Sequence, residues 1–143
     1  MSAMSLANPL KVGFFHIFII GIIVRFTNLK VERLDYMRTN GDTYMPIVIS
    51  NERDRIVACG TLMMERKFIH NCGTLGHIED IVVSDKERGK GLGKLLIEQL
   101  KYLALELGAY KITLDCDRKN EEFYAKSNFV TKGLQMVIYA KDQ

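Results

Sequence analysis

The chain has 143 residues, of which 48% are hydrophobic and 26% are charged, and its formal net charge is +3. This length predicts one domain that buries about two-thirds of the unfolded surface, and the composition excludes a disordered chain. The charge is mild, and no basic run or interleaved aromatic pattern accompanies it, so we do not expect a nucleic-acid-binding protein.

The cysteines and histidines give no pattern of a metal site. Cys59, Cys72 and Cys116 are odd in number and form no C-x-x-C, which argues against a disulfide framework or a zinc ribbon. His77-Ile-Glu79 matches the H-x-E of zinc deaminases, but no P-C-x-x-C follows it. We therefore expect no metal, and the cysteine usage favours a reducing compartment, with the cytoplasm as the expected location.

An apolar run near the N-terminus, Val12–Val24, ends at Arg25. It is too short for a membrane span, which needs about twenty residues. A signal peptide would require a small-residue cleavage site after the run, and none is present. We expect a buried first helix or an interfacial segment, within a divergent N-terminal segment of residues 1–26 that precedes a domain at 27–143. Membrane contact by residues 12–24 is the less favoured alternative.

The rest of the chain alternates apolar stretches of strand length with helical patterns. The strongest pattern is at residues 91–107, where leucines fall on one helical stripe and Gly108 suits the C-terminal cap. Strands on both sides of this helix imply a right-handed crossover and a locally parallel sheet, so the fold class is α/β. In chain order we predict a helix at 28–40, a hairpin of strands Tyr44–Ser50 and Ile56–Met64, a loop at Lys67–Gly73, a strand at Gly76–Val83, the helix at 91–107, a strand at Tyr110–Cys116, a short helix at Asn120–Ser127 and a last strand at Leu134–Ala140.

A glycine-rich loop opens the strongest predicted helix. Gly89, Gly91 and Gly93 allow backbone N–H groups to approach a ligand, and the helix start adds the positive end of its dipole. This combination favours a phosphate or pyrophosphate. Arg88 replaces the first glycine of a Walker loop, and Lys94 replaces the third glycine of a dinucleotide loop, so neither motif fits. The spacing that fits is R-x-x-G-x-G.

This R-x-x-G-x-G loop resembles the acetyl-CoA loop of the Gcn5-related N-acetyltransferase (GNAT) superfamily. Further segments, spread over about residues 41–130, resemble the glucosamine 6-phosphate N-acetyltransferase family within it. They are Lys67-Phe-Ile-His70, Gly76-His-Ile-Glu-Asp-Ile81, Tyr110-Lys-Ile-Thr-Leu-Asp-Cys116, and Asn120 with Phe123-Tyr124-x-Lys126.

The resemblance implies a single-domain GNAT fold, in which a mixed, mostly antiparallel sheet has a parallel splayed centre and flanking helices. It implies acetyl-CoA as acetyl donor, an amino-sugar phosphate as acceptor, no metal, and a homodimer that shares its C-terminal strand and substrate site across the subunit interface. The family reaction acetylates the 2-amino group of glucosamine 6-phosphate, and its product feeds UDP-N-acetylglucosamine synthesis.

The resemblance also implies catalytic roles. Tyr124 would protonate the leaving thiolate, a backbone amide near Ile81–Val83 would bind the thioester oxygen, and Glu79 and Asp115 would hold or deprotonate the amine. Glu79 and Asp80 are neighbours on a strand, so they serve one site only if the strand is distorted.

The residues implied to bind substrates fall into two sets. The acetyl-CoA set is Ile81, Val82, Val83, Arg88, Gly89, Lys90, Gly91, Leu92, Gly93, Lys94, Asn120, Tyr124 and Lys126. The acceptor set is Lys67, Phe68, Ile69, His70, Glu79, Asp80, Tyr110, Lys111 and Asp115, of which Lys67, His70 and Lys111 would meet the 6-phosphate.

The chain departs from the family in its acceptor half. Tyr139 stands where several members place an arginine, Ile22 stands about where the family has a threonine, and the N-terminal strand is expected to be missing or degraded. Two alternatives stay open for this reason. One is an N-acetyltransferase of the same fold with another amine acceptor, and the other is a catalytically weak acetyl-CoA-binding or membrane-associated module.

Overall fold

The computed structural model describes residues 11–13 and 28–140. Within these residues, five strands form one sheet in the order β1-β2-β3-β4-β5, and all neighbouring strands are antiparallel except the parallel pair β4 and β5. The strands are β1 Lys11–Gly13, β2 Tyr44–Ser50, β3 Ile56–Arg66, β4 Thr74–Val83 and β5 Ala109–Leu114. The helices are α1 Asn28–Thr39, the single turn α2 Ile69–Cys72, α3 Leu92–Glu106 and α4 Glu121–Ala125, with short 3-10 turns at Asp85–Glu87 and Arg118–Asn120.

Helix α3 packs its apolar stripe on the sheet and forms the centre of the core. Leu96, Ile97 and Leu100 are fully buried, together with Ile49 and Leu62 of the hairpin. Each such side chain contributes about 1.5–3 kcal/mol through removal from water. The predicted hairpin, crossover helix and mixed α/β class are therefore confirmed.

A β-bulge in β4 gives the sheet its splay. Thr61 of β3 pairs with Glu79 and Cys59 pairs with Val82, so the single residue Gly60 faces two residues of β4. Asp80, the inserted residue, has φ +56°. Parallel pairing of β5 with β4 starts at Thr74 and, among the described residues, ends at Ile78–Leu114, just before the bulge. The two strands separate beyond that point, as the predicted splayed centre requires.

The N-terminal strand, expected to be missing or degraded, is present in the described residues as a strand of three residues. Strand β1 pairs with β2, with Lys11 opposite Ser50 and Gly13 opposite Val48. The apolar run therefore begins in a strand, and the prediction of a helix or interfacial segment is wrong for Val12 and Gly13. Pairing with the hairpin satisfies their backbone groups, which is why so short a strand forms. The remainder of the run, including Ile22, lies outside the described residues.

The predicted last strand, Leu134–Ala140, does not form. This stretch has no regular secondary structure, and Leu134 and Ile138 are 95% and 96% exposed. An apolar strand of this kind is stable only when another strand pairs with it and covers its side chains. Within the described part of this protomer nothing does so, and that is the physical reason for the wrong prediction.

Two smaller differences concern the connection between β3 and β4. Strand β4 begins at Thr74, two residues before the predicted start, and the predicted loop contains the turn α2. In α2, His70 and Asn71 have left-handed helical dihedrals, with φ of 53° and 54°. No helix in the described part of the chain is long and apolar enough to cross a membrane.

Candidate active site

The loop before α3 has the geometry of an anion site. Gly89 and Gly91 have φ of +78° and +75°, a backbone region that other residues enter at a cost of about 1–2 kcal/mol. Gly91 is the N-cap of α3 and supplies no side-chain bond to the first helical amides. A Cβ built on either glycine would meet nothing within 4 Å, so this face of the loop is open. The first amides of α3 are thus available to an anion, as the sequence predicts.

The cations of this loop are held by acidic neighbours from the 3-10 turn. Nη2 of Arg88 lies 2.6 Å from Oδ1 of Asp85, and Nζ of Lys90 lies 2.6 Å from Oε2 of Glu87. Both cations are largely exposed, whereas Glu87 is mostly covered. Exposed pairs contribute about 0–1 kcal/mol, so an incoming pyrophosphate can draw both cations away at little cost. Lys94 lies in the first turn of α3.

Helix α4 packs directly on the start of α3. A Cβ on Gly93 would lie 3.0 Å from Cζ of Phe123, so a larger residue would push the two helices apart. Asn120 is the N-cap of α4 and Lys126 its C-cap, and both are exposed. This contact places α4, and Tyr124 with it, beside the glycine-rich loop.

Tyr124 is half-buried against the core and held by aromatic neighbours. Its ring makes edge-to-face contacts with Phe123 and Phe129, with centroids 4.9 Å and 6.3 Å away. Burial raises the pKa of the Tyr124 hydroxyl above its ordinary value, and the Cys116 thiol adds to this. A phenol in this setting stays protonated at neutral pH, which suits a proton donor.

Beyond the bulge, β4 offers backbone groups that β5 does not use. Residues 81–83 pair with β3 on one side, with Val82 opposite Cys59 and Val83 opposite Ala58. On the other side, the pairing of β4 with β5 ends, among the described residues, at Ile78 and Leu114. Because an open strand edge exposes N–H donors, the predicted position of the thioester oxygen near Ile81–Val83 is available.

The bulge also interrupts the regular alternation of two neighbouring carboxylates. Glu79 pairs with Thr61, whereas Asp80 is close enough to Cys59 to reinforce the rise in the thiol's pKa that burial causes. Cys59 and Thr61 lie on the face of β3 opposite Leu62, which packs in the core with α3. The predicted distortion is therefore confirmed, and both carboxylates are exposed.

The ring of His77 lies between the carboxylates of Glu79 and Asp115. Its Nε2 lies 3.6 Å from Oε1 of Glu79 and 3.7 Å from Oδ2 of Asp115, and its Nδ1 lies 3.0 Å from Oγ1 of Thr113. The sequence analysis met His77 in an H-x-E motif and in the family segment Gly76–Ile81, but it did not include His77 among the predicted site residues. Its alternation with Glu79 on one strand was the available signal, because residues two apart share a face.

The cations predicted to meet a phosphate gather at the other end of β5. The His70 ring stacks on Tyr110 at a centroid distance of 4.3 Å, and Nζ of Lys111 lies 5.9 Å from the centre of the same ring. Lys67 is ion-paired with Glu65. Lys111 and Asp115 lie on one face of the strand, about 13 Å apart along it. Phe68 and Ile69, also predicted for the acceptor site, are exposed.

Comparison with known proteins identifies the family. Residues 14–129 match the model of the acetyltransferase (GNAT) family. The chain belongs to the GNAT family. A glucosamine 6-phosphate N-acetyltransferase of Dictyostelium discoideum is 50% identical over 110 residues, which are 76% of this chain and 70% of that protein. One of Arabidopsis thaliana is 43% identical over 109 residues, 76% of this chain and 73% of that protein.

A solved GNAT structure supports the same assignment. The crystal structure of glucosamine-6-phosphate N-acetyltransferase from Arabidopsis thaliana superposes with a TM-score of 0.78 at 36% identity, over 91% of this chain and 97% of that one. These relatives place the chain among the glucosamine 6-phosphate N-acetyltransferases of the GNAT family.

The site fits the acetyl donor of GNAT enzymes, acetyl-CoA. The open glycine face and the free helix start suit its pyrophosphate, and the separated strands suit its thioester arm. Among the described residues, no group of histidine, cysteine or acidic side chains could hold a metal ion.

Proposed function

We propose that this chain transfers the acetyl group of acetyl-CoA to the 2-amino group of glucosamine 6-phosphate, with the identity of the acceptor taken from the relatives. The observation that supports the chemistry is the meeting of three groups where β4 and β5 separate. The glycine-rich loop contacts α4 through Gly93 and Phe123. Tyr124 of α4 is close enough to Cys116 for the thiol to contribute to the raised pKa of Tyr124. Cys116 directly follows Asp115 of the carboxylate cluster.

Each step of the reaction has a residue suited to it. The amine must be neutral to attack, and Glu79 or Asp115 can take its proton. Backbone N–H groups at residues 81–83 can donate to the thioester oxygen as negative charge develops there. Tyr124, kept protonated by burial, can donate its proton to the departing sulfur.

The acceptor would lie along the face of β5. With its amine at Asp115, its 6-phosphate would extend toward Lys111, whose Nζ lies 5.9 Å from the centre of the Tyr110 ring. His70 and Lys67 would add positive charge at that end of the strand. Lys111→Gln should then raise the KM for glucosamine 6-phosphate and leave the affinity for acetyl-CoA unchanged. Lys119→Gln, at an exposed lysine paired with Asp117, is the control.

We further propose that the chain acts as a homodimer. The segment 134–140 is mostly apolar and has no regular secondary structure, and its apolar side chains are exposed, with Leu134, Met136 and Ile138 more than 90% exposed. Pairing with a second copy would cover them and satisfy their backbone groups. Light scattering of Ile138→Lys should give a monomer, whereas Gln135→Lys, which adds the same charge at a polar position, should stay dimeric. A dimeric Ile138→Lys would contradict this role of the segment.

The reaction itself is tested by thiol release from acetyl-CoA with four acceptors: glucosamine 6-phosphate, glucosamine, spermidine and a short peptide. Turnover only with the phosphorylated sugar is the expected result, and it would fit a cytoplasmic enzyme that supplies UDP-N-acetylglucosamine synthesis. Turnover with another amine would keep the fold and replace the acceptor. Binding of acetyl-CoA without any turnover would favour a binding module.

A further inference from the structure

His77 has contacts that the proposed reaction does not yet use. It lies on β4 directly opposite Thr113 of β5, and only about one-fifth of its side chain is exposed. Its Nδ1 is 3.0 Å from the Thr113 hydroxyl, and its Nε2 faces both Glu79 and Asp115. One ring therefore joins two strands at the point where they begin to separate.

The hydroxyl of Thr113 determines what the ring can offer to the carboxylates. If the hydroxyl donates to Nδ1, the ring proton must be on Nε2, which is the nitrogen that faces Glu79 and Asp115. If the ring is charged, Nε2 again carries a proton. If instead Nδ1 carried the proton and donated it to the hydroxyl, a bare Nε2 would turn its lone pair toward two carboxylates, which is electrostatically unfavourable. The carboxylates therefore favour the forms in which Nε2 is the donor between them.

Two neighbouring carboxylates repel each other and would otherwise turn apart toward water. A shared N–H donor offsets this repulsion and keeps both near one point. The distances of 3.6 Å and 3.7 Å exceed a direct hydrogen bond, so the attraction in this structure is electrostatic, and a slight approach of either carboxylate would close a bond.

We propose that His77 is a positioning residue that holds the carboxylates of Glu79 and Asp115 on either side of the acceptor amine, without itself contacting the reacting atoms. The inference rests on the proposed function, because it assigns the two carboxylates to the amine. It specifies that Nε2 bears a proton and that Thr113 determines this orientation.

The first measurement needs no acceptor, so it separates this inference from the proposed reaction. Long-range nitrogen–proton NMR spectra of labelled protein report which ring nitrogens are protonated. The chain has three histidines, and the His77→Gln variant identifies the signal of His77 by its loss. We expect a protonated Nε2 whose shift changes in Asp115→Asn, and a bare Nε2 would overturn the inference.

The second measurement compares the steady-state kinetics for the acceptor that the enzyme acetylates with the binding of acetyl-CoA. His77→Leu should lower kcat/KM for the acceptor about 10- to 100-fold, the effect of removing a hydrogen bond to a charged group, with acetyl-CoA affinity unchanged. His77→Gln, which retains an N–H donor at similar reach and has no basicity, should recover most of that loss. Equal losses in the Leu and Gln variants would overturn a positioning role and favour His77 as the base.

A double-mutant cycle tests the part played by Thr113. Thr113→Val should lower kcat/KM in the wild-type background and have no further effect in His77→Leu, because the hydroxyl acts through the ring. Thr74→Val, the same change in β4 outside the site, is the control. Independent losses at Thr113 and His77 would contradict the coupling. Melting curves establish that each variant is folded.

Discussion

Replacing Tyr124 by phenylalanine separates the proposed proton donor from the aromatic packing around it. The substitution removes one hydroxyl and keeps the ring contacts with Phe123 and Phe129 at 4.9 Å and 6.3 Å. Because the hydroxyl is only half-buried, its loss should change the free energy of unfolding by no more than about 1 kcal/mol. Loss of a general acid lowers a rate by roughly 10²- to 10⁴-fold. The predicted signature is thus a large fall in kcat in a protein of nearly unchanged stability.

The pKa of Tyr124 adds a second expectation. An ordinary tyrosine has a pKa of about 10, and burial raises that of Tyr124 further. Fewer than roughly one molecule in a thousand is therefore ionised at this position at pH 7. The rate should show no loss from ionisation of Tyr124 until the pH exceeds about 10, and the phenylalanine variant should lack any such alkaline decline.

The assay is single-turnover and steady-state thiol release, together with calorimetric binding of acetyl-CoA and thermal unfolding. Tyr102→Phe is a matched control, because Tyr102 is an exposed tyrosine on the outer face of α3. It should leave kcat, acetyl-CoA affinity and melting temperature unchanged. Wild-type turnover in Tyr124→Phe would refute the assignment of the proton donor, and a fall in acetyl-CoA affinity equal to the fall in kcat would show that Tyr124 contributes binding instead.

Three further predictions concern the loop, the core and the response to acid. Gly91→Glu should abolish acetyl-CoA binding, because it adds bulk and negative charge at a residue with a left-handed backbone. Gly108→Glu, at an equally left-handed and open residue at the other end of α3, should leave the binding unchanged. Unchanged acetyl-CoA affinity of Gly91→Glu in calorimetry would reject the loop as the pyrophosphate site. Leu100→Ala should cost about 2–5 kcal/mol of unfolding free energy in urea, and a smaller loss would mean that the core closes around the cavity. The pKa of Glu98 is lowered by hydrogen bonds with Ser127 and Lys101, so its stabilising effect should be present at pH 7 and lost as the pH falls through the lowered pKa. Glu98→Gln should accordingly destabilise the protein at pH 7 by an amount that decreases as the pH falls through the lowered pKa, and a pH-independent difference would contradict this.

The sequence predicted well what depends on local pattern. The stripe of leucines in α3 and the glycines before it determine a helix and its open start through contacts between residues a few positions apart. The bulge at Asp80 was also predictable, because two charged residues inside an apolar strand are stable only if both reach water or a ligand. These features need no knowledge of distant parts of the chain.

The failures depend on parts of the chain that are distant in sequence, or on pairing that the described residues do not supply. Strand β1 is three residues long, and it forms only because β2 offers an unpaired edge. The segment 134–140 has the composition of a strand, but composition cannot state which edge will pair with it. The alternation of His77 with Glu79 could be read from the sequence, but its contact with Thr113, thirty-six residues later, depends on the register between β4 and β5.

A single backbone irregularity accounts for most of the site. Asp80 has a left-handed backbone conformation, which costs a residue with a Cβ about 1–2 kcal/mol. The position of Gly60 requires glycine, because a Cβ there would lie 2.5 Å from Cδ1 of Ile81. In return, the bulge interrupts the alternation of Glu79 and Asp80, ends the pairing with β5 and leaves the backbone of residues 81–83 open toward the splay. A regular strand would bury these amides in a ladder and point the carboxylates apart. The strain is located where the proposed reaction needs an open backbone edge beside a pair of carboxylates, which is the strongest physical reason to place the reaction there.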